Sequence, residues 1–90
     1  MKRVRIEVDG YVQGVGFRWF AARLAERFHL AGWVCNKPDG GVETVVEGED
    51  ASVNEYIASL RRGPSSATVT DLRLFEEDFG GEFDRFAIKF

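Results

Sequence analysis

Charged and apolar side chains alternate strictly near the start of the chain. Over residues 3–9, Val4, Ile6 and Val8 point one way and the charged residues between them point the other. A period of two is the pattern of a β-strand with one buried face. Residues 10–16, which follow, contain three glycines and are predicted to form a loop.

Two later segments carry apolar residues at helical spacing. From Phe17 the apolar positions recur at intervals of three and four, which predicts a helix over about residues 17–29, with Gly32 marking its exit. The same spacing predicts a second helix over residues 50–62, and the Gly63-Pro64 pair that follows predicts its end.

The remaining apolar runs predict strands, at residues 32–37, 42–48, 68–76 and 86–90. The turn sequence Pro38-Asp39-Gly40-Gly41 joins the first two as a hairpin, because proline presets φ and glycine tolerates positive φ. In the third run the apolar alternation slips by one residue between Val69 and Leu72, which predicts a bulge near Thr70 or Asp71.

These elements predict an α+β fold. The order β-α-β-β-α-β, completed by a strand at the C-terminus, indicates a two-layer α/β sandwich of ferredoxin-like topology. Each helix has a single apolar stripe, so we expect both helices on one face of an antiparallel sheet and the other face open to solvent. A chain of 90 residues supports only one hydrophobic core, so residues 1–90 are predicted to form a single domain.

Composition narrows the classes of function. Lys and Arg number 12 against 15 Asp and Glu, and the net charge of −3 argues against a general nucleic-acid binder. One cysteine and one histidine exclude an internal disulfide and a four-ligand zinc site. No apolar run reaches the length of a signal peptide or a membrane span, so we expect a cytoplasmic protein with no membrane partner, monomeric by default.

Few side chains outside the loop are suited to chemistry. His29 is predicted near the end of the first helix with no Ser or Cys close in sequence, which is typical of a surface residue. Cys35 lies within a predicted strand, where cysteine is usually a small inert apolar residue. The carboxylates at 76–78 are typical of a solvated face, and no spacing indicates a metal site.

The glycine-rich loop and the helix that follows it form the strongest candidate site. Gly14 and Gly16 let the backbone turn tightly and approach a ligand, and a helix N-terminus presents unpaired N–H groups that suit an anion. Arg18 lies in the first helical turn, where a cation opposes the helix dipole, so its guanidinium is predicted to hold phosphate oxygens in a planar fork. On spacing alone, a simple turn beside a solvated arginine is an equally good interpretation.

Two motifs carry a resemblance to a known family. The stretch Gly10-Tyr11-Val12-Gln13-Gly14-Val15-Gly16-Phe17-Arg18 resembles the acylphosphatase signature, Val-Gln-Gly-Val-x-Phe-Arg. Gly32-Trp33-Val34-Cys35-Asn36, followed by the Asp39-Gly40 hairpin, resembles the second motif of the same family. The resemblance extends over essentially the whole chain. It implies a small enzyme that hydrolyses the carboxyl–phosphate bond of acyl phosphates with no metal or organic cofactor.

The resemblance also implies roles for two side chains. Arg18 matches the phosphate-binding arginine of the family, and Asn36 matches the asparagine that orients the attacking water. We expect the rest of the phosphate cradle to be backbone N–H groups, those of Gly14, Val15, Gly16, Phe17 and Arg18. Lys37, expected on the opposite face of its strand from Asn36, is left outside the site. The only partner implied is a small-molecule acyl phosphate.

The lack of an obvious general acid is consistent with this reaction. A leaving carboxylate, whose conjugate acid has a pKa of roughly 4, needs little protonation. Phosphoryl transfer asks mainly for positioning and charge stabilisation. The amide of Asn36 does not titrate in this range, so we expect it to fix a water in line rather than act as a general base, with the proton passing to a substrate phosphate oxygen.

Two alternatives remain open from the sequence. RNA-recognition modules share this element order, but they need exposed aromatic residues on central strands, which residues 3–9 and 42–48 lack. A non-catalytic ligand-binding domain of the same fold, free or within a larger maturation enzyme, would retain the motifs without the activity. Hydrolysis of a simple acyl phosphate would distinguish the enzyme from both alternatives.

Overall fold

A computed structural model describes residues 1–90 as seven elements built around one sheet. They are β1 (Lys2–Tyr11), α1 (Phe17–Arg27), β2 (Ala31–Asn36), β3 (Val42–Gly48), α2 (Asp50–Arg62), β4 (Thr68–Glu77) and β5 (Phe86–Lys89). The strands lie in the order β4-β1-β3-β2-β5. This confirms the predicted ferredoxin-like α+β fold, and the element bounds agree with the predicted ones to within two residues.

The sheet is mixed, so the prediction of a fully antiparallel sheet was wrong for one pair of strands. β5 pairs with β2 in parallel, whereas the other pairings are antiparallel. The register explains the difference: Glu77 at the end of β4 lies opposite Arg3, and Arg3 lies opposite Glu47. Glu47 in turn lies opposite Ala31, the first residue of β2. The chain therefore leaves β4 at the end of the sheet where β2 begins, and β5 runs in the same direction as β2.

Both helices pack on one face of the sheet, as predicted, and share a single core with it. Val4, Ile6 and Val8 of β1 are buried beneath the helices, which confirms the face predicted from their alternation. Phe17, the first residue of α1, is among the largest fully buried side chains. Its burial fixes the start of the helix against the core, and this also fixes the backbone position of Arg18, the next residue.

The β1–β4 pairing contains the predicted bulge. Asp9 lies opposite Asp71 and Gly10 lies opposite Val69, so Thr70 is the extra residue on β4. A bulge increases the local twist of the strand pair. Here it lies where β1 ends and the glycine-rich loop begins, and it helps to set the direction in which the chain enters that loop.

Helix α1 ends two residues before its predicted end. His29 adopts the left-handed conformation with a φ of 56°, and the N–H of Leu30 donates to the carbonyl of Ala25 at 2.8 Å. This is the hydrogen bond of a Schellman ending, in which a glycine usually takes the left-handed position. Because histidine takes that position here, the first glycine after the helix is Gly32, which lies beyond the true end and made the predicted helix too long.

The face of the sheet opposite the helices is open to solvent only in part, whereas the sequence predicted an open face. Ion pairs cover much of it, linking the side chains of Arg3, Arg5, Lys37 and Arg73 to three carboxylates on the strands, those of Glu7, Glu43 and Glu77. The segment between β4 and β5 covers one end. There the backbone N–H groups of Gly80 and Glu82 donate to the carboxylate of Glu47, which is 4% exposed.

We predict that Glu47 makes stability depend on pH. Burial acts to raise the pKa of Glu47, but the two backbone N–H donors and Arg3 outweigh it and hold the pKa below its usual value of 4.5. Its contribution is therefore present at neutral pH and lost as the pH falls below about 4.5. We expect Glu47→Gln to lower the free energy of unfolding by about 1–3 kcal/mol at pH 7 and by much less at pH 3.

Urea unfolding at the two pH values measures this effect, with Glu55→Gln as the control. Glu55 is exposed on α2 and makes no ion pair or side-chain hydrogen bond. An equal loss of stability for Glu47→Gln at pH 7 and pH 3 would contradict the assignment.

Candidate functional site

A cavity of about 120 Å³ lies where the loop after β1, the start of α1 and the end of β2 meet. Its lining residues are Val12, Gly14, Gly16, Phe17, Arg18, Trp19 and Asn36. The fold thus brings together Arg18 and Asn36, which the sequence singled out from separate motifs. Val12 and Trp19 also line the cavity. Neither was predicted as a site residue, although Val12 stands within the first motif.

The backbone of the loop alternates in handedness around the cavity. Gly14 and Gly16 have φ values of +76° and +79°, while Val15 between them has a negative φ. A Cβ at either glycine would meet no atom within 4 Å, so it is the backbone conformation and not lack of space that requires glycine. Such alternation makes a concave nest in which successive N–H groups converge on an anion.

These N–H groups are free to bind a ligand. Those of Gly14, Val15 and Gly16 make no hydrogen bond within the chain, and the first hydrogen bond of α1 joins the N–H of Phe20 to the carbonyl of Gly16. The helix has no side-chain cap at its N-terminus and no acidic residue in its first turn. Loop and helix start therefore present unpaired donors together with the positive end of the helix dipole.

Arg18 is half-buried at the cavity wall, with most of its donors unused. One Nη1 hydrogen bond runs to the carbonyl oxygen of Lys89 at 3.3 Å, and the guanidinium carbon lies 4.8 Å from the centre of the Phe90 ring. The C-terminal residues therefore support the guanidinium from one side. A guanidinium carries five N–H donors, so several remain for an oxyanion in the cavity.

Asn36 is the last residue of β2, and its exposed side chain makes no hydrogen bond within the chain. Both its amide oxygen and its amide nitrogen are therefore free to accept from and donate to a water molecule. Pairing with Val42 of β3 fixes the backbone at this position.

Gln13 ties the loop to the hairpin that follows Asn36. Its Nε2 donates to the carbonyls of Lys37 and Gly41, at 2.7 and 2.8 Å. The same two residues close the hairpin, through a hydrogen bond from the N–H of Lys37 to the carbonyl of Gly41. Gln13 thus fixes the separation of the loop from the end of β2. It stands within the first motif, but nothing in that motif predicted where its side chain would bond.

Val15 differs from the other residues predicted for the cradle. It does not line the cavity, because its side chain packs against the core and its carbonyl oxygen accepts a hydrogen bond from Ser66 Oγ at 2.8 Å. Its N–H remains unpaired, as do those of Gly14 and Gly16.

Residues set aside in the sequence lie outside the cavity. Lys37 faces the opposite side of β2 from Asn36, as predicted, with its Nζ 3.5 Å from a carboxylate oxygen of Glu7. Burial raises the pKa of the Cys35 thiol, which keeps it in the unreactive protonated form at neutral pH. His29 lines a separate groove of about 440 Å³ at the C-terminal end of α1. No group of three or more potential metal ligands occurs in the structure.

We expect Gly16→Ala to weaken both the fold and the binding of inorganic phosphate. A side chain at a φ of +79° costs about 1–2 kcal/mol, and relaxing that strain moves the N–H groups out of alignment. Gly81→Ala is the matched control, since Gly81 has a φ of +62° but lies far along the chain between β4 and β5.

Urea unfolding and isothermal titration with phosphate give the two readouts. Both variants should lose similar stability, whereas only Gly16→Ala should lose phosphate affinity. Equal phosphate binding by the two variants would contradict a role for this loop conformation.

Neither helix has the length and the apolar run needed to span a membrane.

Known proteins resemble the chain over its whole length. The family model described as Acylphosphatase matches residues 4–88. The acylphosphatases of Syntrophus aciditrophicus (strain SB) and Methylococcus capsulatus are each 51% identical to this chain over 88 residues. Each match covers 98% of this chain, and the matches cover 92% of the first relative and 96% of the second. The crystal structure of acylphosphatase from Bacillus subtilis is 39% identical and superposes with a TM-score of 0.96 over 100% of both chains. The chain therefore belongs to the acylphosphatase family.

Proposed function

We propose that this chain hydrolyses the carboxyl–phosphate bond of acyl phosphates in the cavity between the loop and the end of β2, releasing a carboxylate and inorganic phosphate. Membership of the acylphosphatase family supports the reaction. The observation that carries the site is that unpaired backbone N–H groups, a guanidinium with free donors and an unbonded amide meet at one small cavity.

The cradle binds the phosphoryl group. The N–H groups of Gly14, Val15, Gly16, Phe17 and Arg18 donate to its oxygens, and the Arg18 guanidinium adds a positive charge and a planar pair of donors. In the loose transition state, charge shifts from the phosphoryl group toward the leaving carboxylate. Donors already fixed in position hold the phosphoryl oxygens and stabilise the charge spread over them in that transition state, with little reorganisation. The overall charge of −3 gives no long-range attraction, so capture of the substrate depends on this local group.

Asn36 positions the nucleophile. Its amide accepts one hydrogen bond from a water and donates another, which fixes the water in line with the scissile bond. The water oxygen forms a new bond to phosphorus while the bond from phosphorus to the acyl oxygen breaks, and the bonding pair leaves with the carboxylate. The proton of the water passes to a phosphate oxygen of the substrate, so no side chain has to titrate.

This scheme predicts that the pH dependence of kcat does not reflect the pKa of any side chain of the protein. The carboxylate leaving group, with a conjugate-acid pKa of roughly 4, needs no general acid. We expect kcat to vary smoothly between about pH 5 and 8, with no limb assignable to a side chain. The only histidine lies at the far end of α1, so we expect His29→Gln to leave the profile unchanged. A steep limb that moves or disappears in a side-chain variant would contradict the scheme.

The deciding assay is hydrolysis of benzoyl phosphate in the presence of a metal chelator. We expect turnover that the chelator does not reduce, because no step uses a metal ion. Turnover that requires an added divalent cation would contradict the scheme. A folded chain with no turnover at all would favour the non-catalytic alternative.

The broader setting is also a proposal. We propose that residues 1–90 act as one acylphosphatase-like domain, monomeric and cytoplasmic, with a small-molecule acyl phosphate as partner and neither nucleic acid nor membrane. The shared core of helices and sheet, the unpaired Cys35 and the acidic charge balance support this setting. Sedimentation equilibrium tests the monomer, and a salt-sensitive complex with single-stranded RNA would argue for the alternative class.

A further inference from the structure

One hydrogen bond reaches the loop from outside the family motifs. Ser66 Oγ donates to the carbonyl oxygen of Val15 at 2.8 Å, and the two residues are 51 positions apart in the chain. Ser66 does not line the cavity, and no other side chain in the structure donates to a carbonyl of residues 14–16.

This hydrogen bond determines the orientation of a whole peptide unit. The peptide between Val15 and Gly16 is trans and planar, so its carbonyl and its N–H point in opposite directions. While Ser66 holds the carbonyl, the N–H of Gly16 must point away from Ser66. Gly16 lines the cavity, and its N–H has no partner within the chain.

The turn that carries Ser66 is itself well fixed. It is closed by a hydrogen bond from the N–H of Ala67 to the carbonyl of Pro64 at 3.0 Å. Ala67 and Val69, on the C-terminal side of Ser66, pack against the hydrophobic core. The hydroxyl is therefore presented to the loop by a rigid support, although Ser66 is itself exposed to solvent.

We propose that Ser66 is a positioning residue of the active site, which holds the Val15–Gly16 peptide so that the N–H of Gly16 points into the cradle and binds the phosphoryl group. The inference rests on the proposed function for its biological meaning, but its physical content is the binding of a phosphate anion. Glycines on both sides of Val15 leave this peptide free to rotate, and an external hydrogen bond is a means of holding it in one orientation.

The experiment measures the binding of inorganic phosphate by isothermal titration, independently of turnover. We expect Ser66→Ala to weaken phosphate binding about three- to tenfold, the effect of losing one hydrogen bond that preorganises a donor. We expect Ser66→Thr, which keeps the hydroxyl, to restore most of the affinity. The matched control is Ser65→Ala, because Ser65 lies in the same exposed turn and makes no side-chain hydrogen bond.

A second readout follows the peptide itself. In ¹⁵N-labelled protein, the amide resonance of Gly16 should shift strongly when phosphate binds to the parent and to Ser66→Thr, and less in Ser66→Ala. Urea unfolding of each variant separates a loss of stability from a loss of affinity.

Each outcome decides the proposal. Unchanged phosphate affinity in Ser66→Ala overturns it, even if the variant is less stable, and so does a parent protein that binds no phosphate. Weaker binding in Ser66→Ala and Ser66→Thr alike also overturns it, because the hydroxyl is then not the group responsible. A parent that binds phosphate through Ser66 but does not hydrolyse benzoyl phosphate supports the inference while contradicting the proposed function.

Discussion

Replacing Arg18 with alanine is expected to lower kcat/KM for benzoyl phosphate by on the order of a thousandfold, the effect of removing a preorganised charged donor. The guanidinium is the only positive side chain that lines the cavity. Its loss should weaken both the ground-state binding of the dianion and the stabilisation of the transition state. We therefore expect higher KM, lower kcat and weak inhibition by inorganic phosphate.

Arg18→Lys tests the geometry of the same site. A lysine keeps the charge but not the planar fork, and it is less suited to stacking on Phe90. We expect it to recover only part of the lost activity.

Arg23→Ala is the matched control for this series. Arg23 is exposed on the same helix, five residues further along, and makes no ion pair or hydrogen bond. It should retain full activity. Circular dichroism and urea unfolding should show that all three variants remain folded, because Arg18 makes only one hydrogen bond to the chain. Largely unchanged activity in Arg18→Ala would refute the assignment of the site.

Replacing Asn36 with alanine is expected to reduce kcat by on the order of a hundredfold or more, because the attacking water loses the partner that fixes it. Inhibition by inorganic phosphate should change little, since the cradle stays intact. The two variants should therefore differ in phosphate affinity although both lose rate. Arg18→Ala loses phosphate affinity together with rate, whereas Asn36→Ala loses rate and keeps the affinity.

Asn36→Asp tests the amide group itself, because aspartate keeps the shape of the side chain but replaces the amide N–H donor with a negatively charged oxygen. We expect it to be as inactive as Asn36→Ala and also to bind phosphate more weakly, through repulsion of the dianion. Asn54→Ala, on the exposed face of α2, is the control for asparagine removal. A strong loss of phosphate affinity in Asn36→Ala would contradict a role in positioning water and would indicate that Asn36 binds the phosphoryl group.

The C-terminal strand β5 lies close to both Arg18 and Asn36. The carbonyl of Lys89, at the end of β5, and the ring of Phe90, which follows it, both contact the Arg18 side chain. β5 also pairs with β2 up to Cys35, next to Asn36. The C-terminal end of the chain therefore supports Arg18 directly and pairs with the strand that carries Asn36. This gives the parallel pairing of β5, which the sequence did not predict, a consequence for the chemistry.

Most of the fold follows from periodicity in the sequence. The alternation around Val4, Ile6 and Val8 determines the buried face of β1, since shifting the strand by one residue would bury charges instead. Helical spacing determines both helices in the same way. The slip between Val69 and Leu72 predicts a bulge at Thr70 or Asp71, because an extra residue is the simplest way to return both side chains to one face. The strand register places it at Thr70.

The candidate site followed from local sequence only together with the family resemblance that its two motifs carry. Glycines at 14 and 16, an arginine in the first helical turn and an asparagine before a Pro-Asp-Gly turn are each local signals. What they do depends on backbone conformation, which glycine and helix position set within a few residues. The two motifs therefore identified Arg18 and Asn36 as candidates before the fold was known.

Only the tertiary structure decided what holds those residues in place. Gln13 bonds to the hairpin beyond Asn36, Ser66 bonds to Val15 from 51 residues away, and the carbonyl of Lys89 supports Arg18 from 71 residues away. No periodicity encodes such contacts, because each depends on how separate elements come together in space. The sequence by itself thus determined the elements and the candidate residues of the site, whereas packing determined the direction of β5 and the hydrogen bonds that support the loop.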